Sequence, residues 1–220
     1  MSSDPEKTER PRRSYRGATP AERSETRRIR LIEAAVQVYG ELGYRNATVK
    51  SVCAAAGLTD RYFYEAFENS EALLAASFEA VTQAVLAEVV ATADADGNEG
   101  FRRLRVMLRS YFTALRREAA RARVFLVEMV GISDTIDKVF DNALRRIGDL
   151  IVETLDAERE GPLATSPLLA RGVASGLVGI AIAWVRSGYA APLDDVVGAA
   201  TKLCCLAAPD GDAGQSRRQE

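Results

Sequence analysis

The sequence contains no histidine. That removes the usual general base at neutral pH and the commonest metal ligand. Serine–histidine and cysteine–histidine nucleophile systems are therefore excluded within this chain. Cysteine is scarce as well. Cys53, Cys204 and Cys205 stand at spacings that fit neither a zinc site nor a disulfide framework. They read as small core residues, and a reducing cytoplasm is the expected compartment. No catalytic residue, metal or cofactor is expected. Long hydrophobic runs are lacking too. The longest, Gly172 to Val185, is bounded by Arg171 and Arg186. It is shorter than the about 20 apolar residues that span a bilayer, and it reads as a buried helix. The N-terminus is charged and has no secretory apolar run. No membrane partner is expected. No segment sustains strand alternation, and proline is infrequent, which leaves room for long helices.

Apolar residues make up 47% of the chain, enough to bury a sizeable core. The length allows one large domain or two small ones. The net charge is only −2, but it is unevenly spread. Residues 1–30 hold nine basic residues, Lys7, Arg10, Arg12, Arg13, Arg16, Arg23, Arg27, Arg28 and Arg30, against five acids. A basic end on an otherwise acidic protein suits an anionic partner, and it equally suits a solvated tail.

Helix signals succeed one another along the chain. Residues 1–18 are polar and read as a disordered basic arm. Thr19, Pro20 and Glu22 then form a capping-box start. Ile29, Ile32, Val36 and Tyr39 recur at helical spacing up to Leu42, and Gly43 offers a left-handed C-cap. Thr48 caps a short second helix ended by Gly57, Thr59 caps a third, and Asn69 caps a long fourth. A break from Asp94 to Gly100 precedes a fifth helix over Phe101–Glu118. "VFLVEMVG" predicts a short sixth helix ending at Gly131. Asp134 caps a seventh, "EGPLATSP" reads as a loop, Ser166–Pro167 opens an eighth, and Pro192 to about Ala207 forms a ninth. Residues 209–220 read as a disordered tail.

The two short helices around "AGLT" make a helix-turn-helix. Gly57 stands where positive φ is needed, and Ala56 is small enough for the helices to cross closely. In "TDRYFYEAF", Leu58, Phe63 and Phe67 share the inner side. Asp60, Arg61, Tyr62, Tyr64 and Glu65 fall toward the outer one. Phe63 is therefore expected in the core. Tyr62 and Tyr64 are expected outward, with hydroxyls able to donate to phosphate or base edges.

From about Arg27 to Leu74 the chain resembles the DNA-binding domain of the TetR family of bacterial regulators. Gly43, Tyr44, Thr48, Val52, Ala56, Gly57, Thr59, Tyr64 and Phe67 follow that family's pattern in order. The resemblance implies contacts to double-stranded DNA from Thr48, Lys50, Thr59, Asp60, Arg61, Tyr62, Tyr64 and Ser70. The family usually places a lysine where this chain has Ser70. Asp60, Glu65 and Glu68 crowd the third helix, so affinity should rest more on backbone N–H groups and on the basic arm.

The resemblance further implies a helical cavity for a small effector. Candidate liners are Phe78, Thr82, Met107, Tyr111, Phe125, Met129, Phe140 and Trp184. Few charges fall among them, which favours an apolar ligand. Gly172, Gly176 and Gly179 form a stripe of small residues that lets another helix come close. In the resembling family the last two helices pair with their two-fold mates. Leu169, Gly172, Val173, Gly176, Ile180, Ala183, Val196 and Ala200 are the expected homodimer contacts, and a dimer suits a palindromic operator.

The expectation is an all-α protein of about nine helices: a helix-turn-helix DNA-binding domain over 19–68, then a helical effector-binding and dimerisation domain over 69–208. The expected function is that of a cytoplasmic repressor released by a small apolar ligand. The alternative is a helical carrier or interaction module whose helix-turn-helix is purely structural.

Overall fold

The computed structural model describes residues 19–128, 131–156 and 160–208, the side chains of Phe125 and Glu128 excepted. The expected basic arm, the polar tail and Met129 lie outside the described residues. The described residues are all-α and contain no strand. Helices α1 (Pro20–Leu42), α2 (Val49–Ala56) and α3 (Asp60–Ala66) come first, followed by the long α4 (Ser70–Asp96). Then come α5 (Gly100–Arg117), the short α6 (Ala119–Arg123), α7 (Asp134–Leu155), α8 (Pro162–Thr165), α9 (Pro167–Arg186) and α10 (Leu193–Ala207).

Local chemistry sets the first boundaries. The Thr19 hydroxyl accepts from the Glu22 N–H at 3.2 Å, and Glu22 accepts from the Thr19 N–H at 2.6 Å. Thr48 and Ser51 exchange the same pair of bonds at 3.0 Å each, so α2 also begins on a reciprocal cap. Gly57 ends α2 in the left-handed region, as expected. Gly43 does not: its φ of 79° with ψ of 147° is extended in ψ, a conformation still favouring glycine.

Later boundaries depart from the expectation. The helix expected at "VFLVEMVG" begins upstream at Ala119, and Val124–Glu128 continues it as a π-helical turn whose Val124 and Leu126 are fully buried. Ser133, not Asp134, caps α7; its hydroxyl also donates to Glu71 at 2.6 Å. The "EGPLATSP" loop contains α8, because the Asp156 carboxylate accepts from the Glu160 and Ala164 N–H groups and Leu163 is pulled into the core.

α1 packs on α2, α3, α4 and α6; α5 lies against α4 and α10; α7 lies against α9. By length and composition α4 and α9 could cross a bilayer. Here Leu73, Phe78, Val81 and Val85 of α4, and Val173, Leu177 and Trp184 of α9, are core residues of the bundle. Burial pushes the Cys204 thiol up to about 12 and also raises Cys53. Brief alkylation of the native protein at neutral pH should therefore spare both, as read by peptide mass spectrometry. Rapid modification of either would show that its helix opens.

Candidate nucleic-acid interface and effector cavity

Phe63, fully buried, anchors α3 on α1 and α2, and Phe67 closes the same core with ring centroids 6.1 Å apart. Arg30 of α1 donates to the Ala56 carbonyl at 2.6 Å, which pins the turn between α2 and α3. Sequence reading missed this role; an arginine in a basic stretch looks like any other.

The outward residues divide into two sets. Thr48, Lys50, Thr59, Asp60 and Arg61 are exposed, Tyr64 is 65% exposed, and Ser70 is half-buried at the first position of α4. Thr48 spends its hydroxyl on its cap. Thr59 does not: it sits at the N-cap of α3 but makes no side-chain cap bond, against expectation. Tyr62 also departs, being half-buried with the Arg27 guanidinium 4.6 Å from its ring centroid. Glu65 accepts from Arg61 at 2.9 Å and lies 3.9 Å from Arg27, so it ties α3 to α1. The Arg61 side chain remains 83% exposed. An exposed i,i+4 pair of this kind is worth about 0.3–0.5 kcal/mol. That is less than the about 1–3 kcal/mol of a bidentate base contact, so the pair with Glu65 does not lock Arg61 away from another partner.

A cavity of about 60 Å³ lies among α4, α5, α7 and α9. Its wall has no charged group: Val85, Leu86, Val89, Leu104, Met107, Leu108, Tyr111, Ile147, Leu150, Ile151, Leu177 and Val178. Met107 and Tyr111 are thus the expected liners that reach it. Phe78 and Phe140 instead pack on each other with tilted rings, centroids 6.1 Å apart, and Trp184 packs edge-on to Phe112 and Tyr189 while donating its indole N–H to the Ala191 carbonyl. Thr82 is fully buried, and its hydroxyl has no hydrogen-bond partner among the described residues. Phe125 and Met129 cannot be placed, their side chains lying outside the described residues. The aliphatic liners were missed because a cavity-lining leucine and a core leucine share one sequence signal.

The expected dimer face splits. Leu169, Gly172 and Ala183 are exposed; Gly176 and Ile180 are half-buried. Val173, Val196 and Ala200 are buried in their own subunit, so they are core rather than interface. A Cβ on Gly176 would come 2.7 Å from Leu203 Cδ2 of the same chain, whereas one on Gly172 or Gly179 would meet nothing within 4 Å. The outward small-residue face is therefore Gly172 with Gly179, flanked by Leu168, 80% exposed.

Residues 31–77 match the family model described as bacterial regulatory proteins, tetR family. This part of the chain belongs to the TetR family. A comparison with curated proteins finds no match. Solved structures match the fold over most of the chain. The fatty acid degradation regulator FadR of Bacillus halodurans is 21% identical with a TM-score of 0.68, over 86% of this chain and 96% of that one. The regulator FadR of Bacillus subtilis, solved with stearoyl-CoA, is 21% identical with a TM-score of 0.64, over 80% and 96%. A TetR-like transcriptional regulator of Rhodococcus sp. RHA1 is 18% identical with a TM-score of 0.57, over 81% and 93%. At these identities the likeness is one of fold.

The TetR-family segment meets the rest of the bundle along α1. At Gly40 the two are so close that a Cβ would stand 2.5 Å from Ala120 Cβ and 2.6 Å from Ala120 Cα. No larger residue fits there. Among the described residues no cluster of three or more Cys, Asp and Glu could hold a metal ion.

Proposed function

We propose that the protein is a cytoplasmic, dimeric transcriptional regulator that represses from a palindromic operator and is released by a small apolar effector. The observation that carries this reading is the exposed edge of α2 and α3, where Thr48, Lys50, Thr59, Arg61 and Tyr64 face solvent over a core fixed by Phe63. Lys50 and Tyr64 suit phosphate oxygens, and Arg61 suits a guanine edge. Asp60, Glu65 and Glu68 oppose phosphate, so the basic arm and backbone N–H groups supply much of the affinity. The charge-free cavity wall supports an apolar effector. The stearoyl-CoA bound by the Bacillus subtilis relative supports one with an acyl chain. Effector coupling of about 1–3 kcal/mol would lower DNA affinity roughly 5–150-fold.

Selection of bound sequences from random DNA, with half-site spacing recorded, tests the reading. A two-fold symmetric site with salt-sensitive affinity is expected. Absence of salt-sensitive DNA binding would leave a helical carrier. On the selected site, Arg61→Ala should relax the preference at one position per half-site, costing about 1–3 kcal/mol. Uniform weakening with unchanged specificity would assign Arg61 to phosphate.

A further inference from the structure

The cavity is the first of three spaces along the α4–α5 seam. A constriction of about 10 Å³ follows, with Val81, Val85, Ala114 and Leu115 in its wall. Beyond it a groove of about 470 Å³ lies between α1, α4 and α6. Val85 borders both cavity and constriction; Val81, Ala84, Arg117, Glu118 and Arg121 border both constriction and groove. The cavity is far smaller than the roughly 300–1,000 Å³ that encloses a whole ligand. It has room for only one end of such a ligand, and the rest would have this seam to follow.

The charges on that route are Arg117, Arg121, Glu88 and Glu118 at the constriction, with Glu33 of α1 further out in the groove. Arg117, at the end of α5, makes a bidentate pair with Glu88 of α4, at 2.9 and 2.8 Å. It also reaches Glu118 at 3.1 Å, and Glu118 holds Arg121 at 2.8 Å. The Arg117 and Glu88 side chains are 50% and 38% exposed, so a ligand reaches them. The surrounding stretch from Arg116 to Arg123 carries four arginines and a single acid. A guanidinium fork already holding a carboxylate accepts another carboxylate or a phosphate in the same geometry, whereas a cation would have to break the fork without replacing it.

We infer that Arg117 receives the anionic head of an amphiphilic effector whose alkyl end occupies the cavity, and that this head displaces Glu88. The inference rests on the effector reading above. Displacement unties α4 from α5 beside the groove that α1 borders, so one binding event acts on the helix that leads into the DNA-binding domain. The head is a carboxylate or a phosphate-bearing thioester carrier, and the probes separate the two.

Dodecanoate, dodecanoyl-CoA and uncharged dodecanol are titrated against wild type, Arg117→Gln and Glu88→Gln. Arg117→Gln should weaken the preferred anionic probe by about tenfold and leave dodecanol unchanged. Glu88→Gln, which breaks the same ion pair, should tighten the anionic probe. A merely structural pair would instead move all three probes alike in both variants. That result, or no change in either variant, overturns the head site while leaving the effector cavity standing. Failure of all three probes to bind wild type overturns both.

Discussion

Gly40→Ala should destabilise the protein, although alanine is the better helix former. In a free helix the exchange stabilises by about 0.5–1 kcal/mol. Here the new methyl would overlap Ala120 at 2.5 Å from its Cβ and 2.6 Å from its Cα. The second contact is backbone, which no rotamer change relieves. Overpacking of this kind costs about 1–3 kcal/mol, so the clash wins over propensity. In a chain of this size each kcal/mol shifts Tm by about 2–4 °C. Gly40→Leu should be worse and should end in loss of soluble protein. Adding Ala120→Gly should recover part of the loss from Gly40→Ala, since the two sites touch and their effects couple. Thermal melts of the single and double variants decide the matter. A raised Tm for Gly40→Ala alone would mean that α1 and α6 stand further apart than the packing requires.

The parts of this fold that could be read from sequence are those decided locally. Thr19 with Glu22, the turn at Gly57 and the inward Phe63 follow from capping, backbone sterics and helical spacing. The structure agrees at each. What could not be read depends on neighbours distant in sequence. α8 exists because Leu163 is buried and Asp156 reaches two N–H groups. Gly40 looks like a weak point in a helix until Ala120 is set against it. Gly172, Gly176 and Gly179 have one spacing signature, yet the middle glycine faces α10 of its own chain. The site shows the same division. Tyr64 is outward as its position implies, but Tyr62 is drawn under Arg27, a residue thirty-five positions away. The expected liners were mostly aromatic and methionine residues, while leucine, isoleucine and valine mostly line the cavity.

Gly179→Arg should leave the subunit folded and abolish its pairing. The site lies on the outward face of α9, with nothing within 4 Å of an added Cβ. Replacing a mid-helix glycine there should hold or raise subunit stability by up to about 1 kcal/mol. If two copies of α9 approach through this outward face of Gly172 and Gly179, the substitution brings two guanidiniums face to face in a desolvated contact. Like charges so placed cost several kcal/mol, and the dimer has no nearby carboxylate on this stripe to absorb them. Sedimentation should then report monomer at concentrations where wild type is dimeric. DNA affinity should fall with it. A linked pair of half-site contacts gains about 10²–10⁴ over one contact through effective concentration, and a monomer forfeits that gain. Gly176→Ala is the control: it meets only the mobile end of Leu203 in its own chain, so both dimer and DNA binding should survive. A Gly179→Arg protein that remains dimeric would move the interface off this face of α9. The exposed Leu206 of α10 would then be the next surface to test by the same substitution.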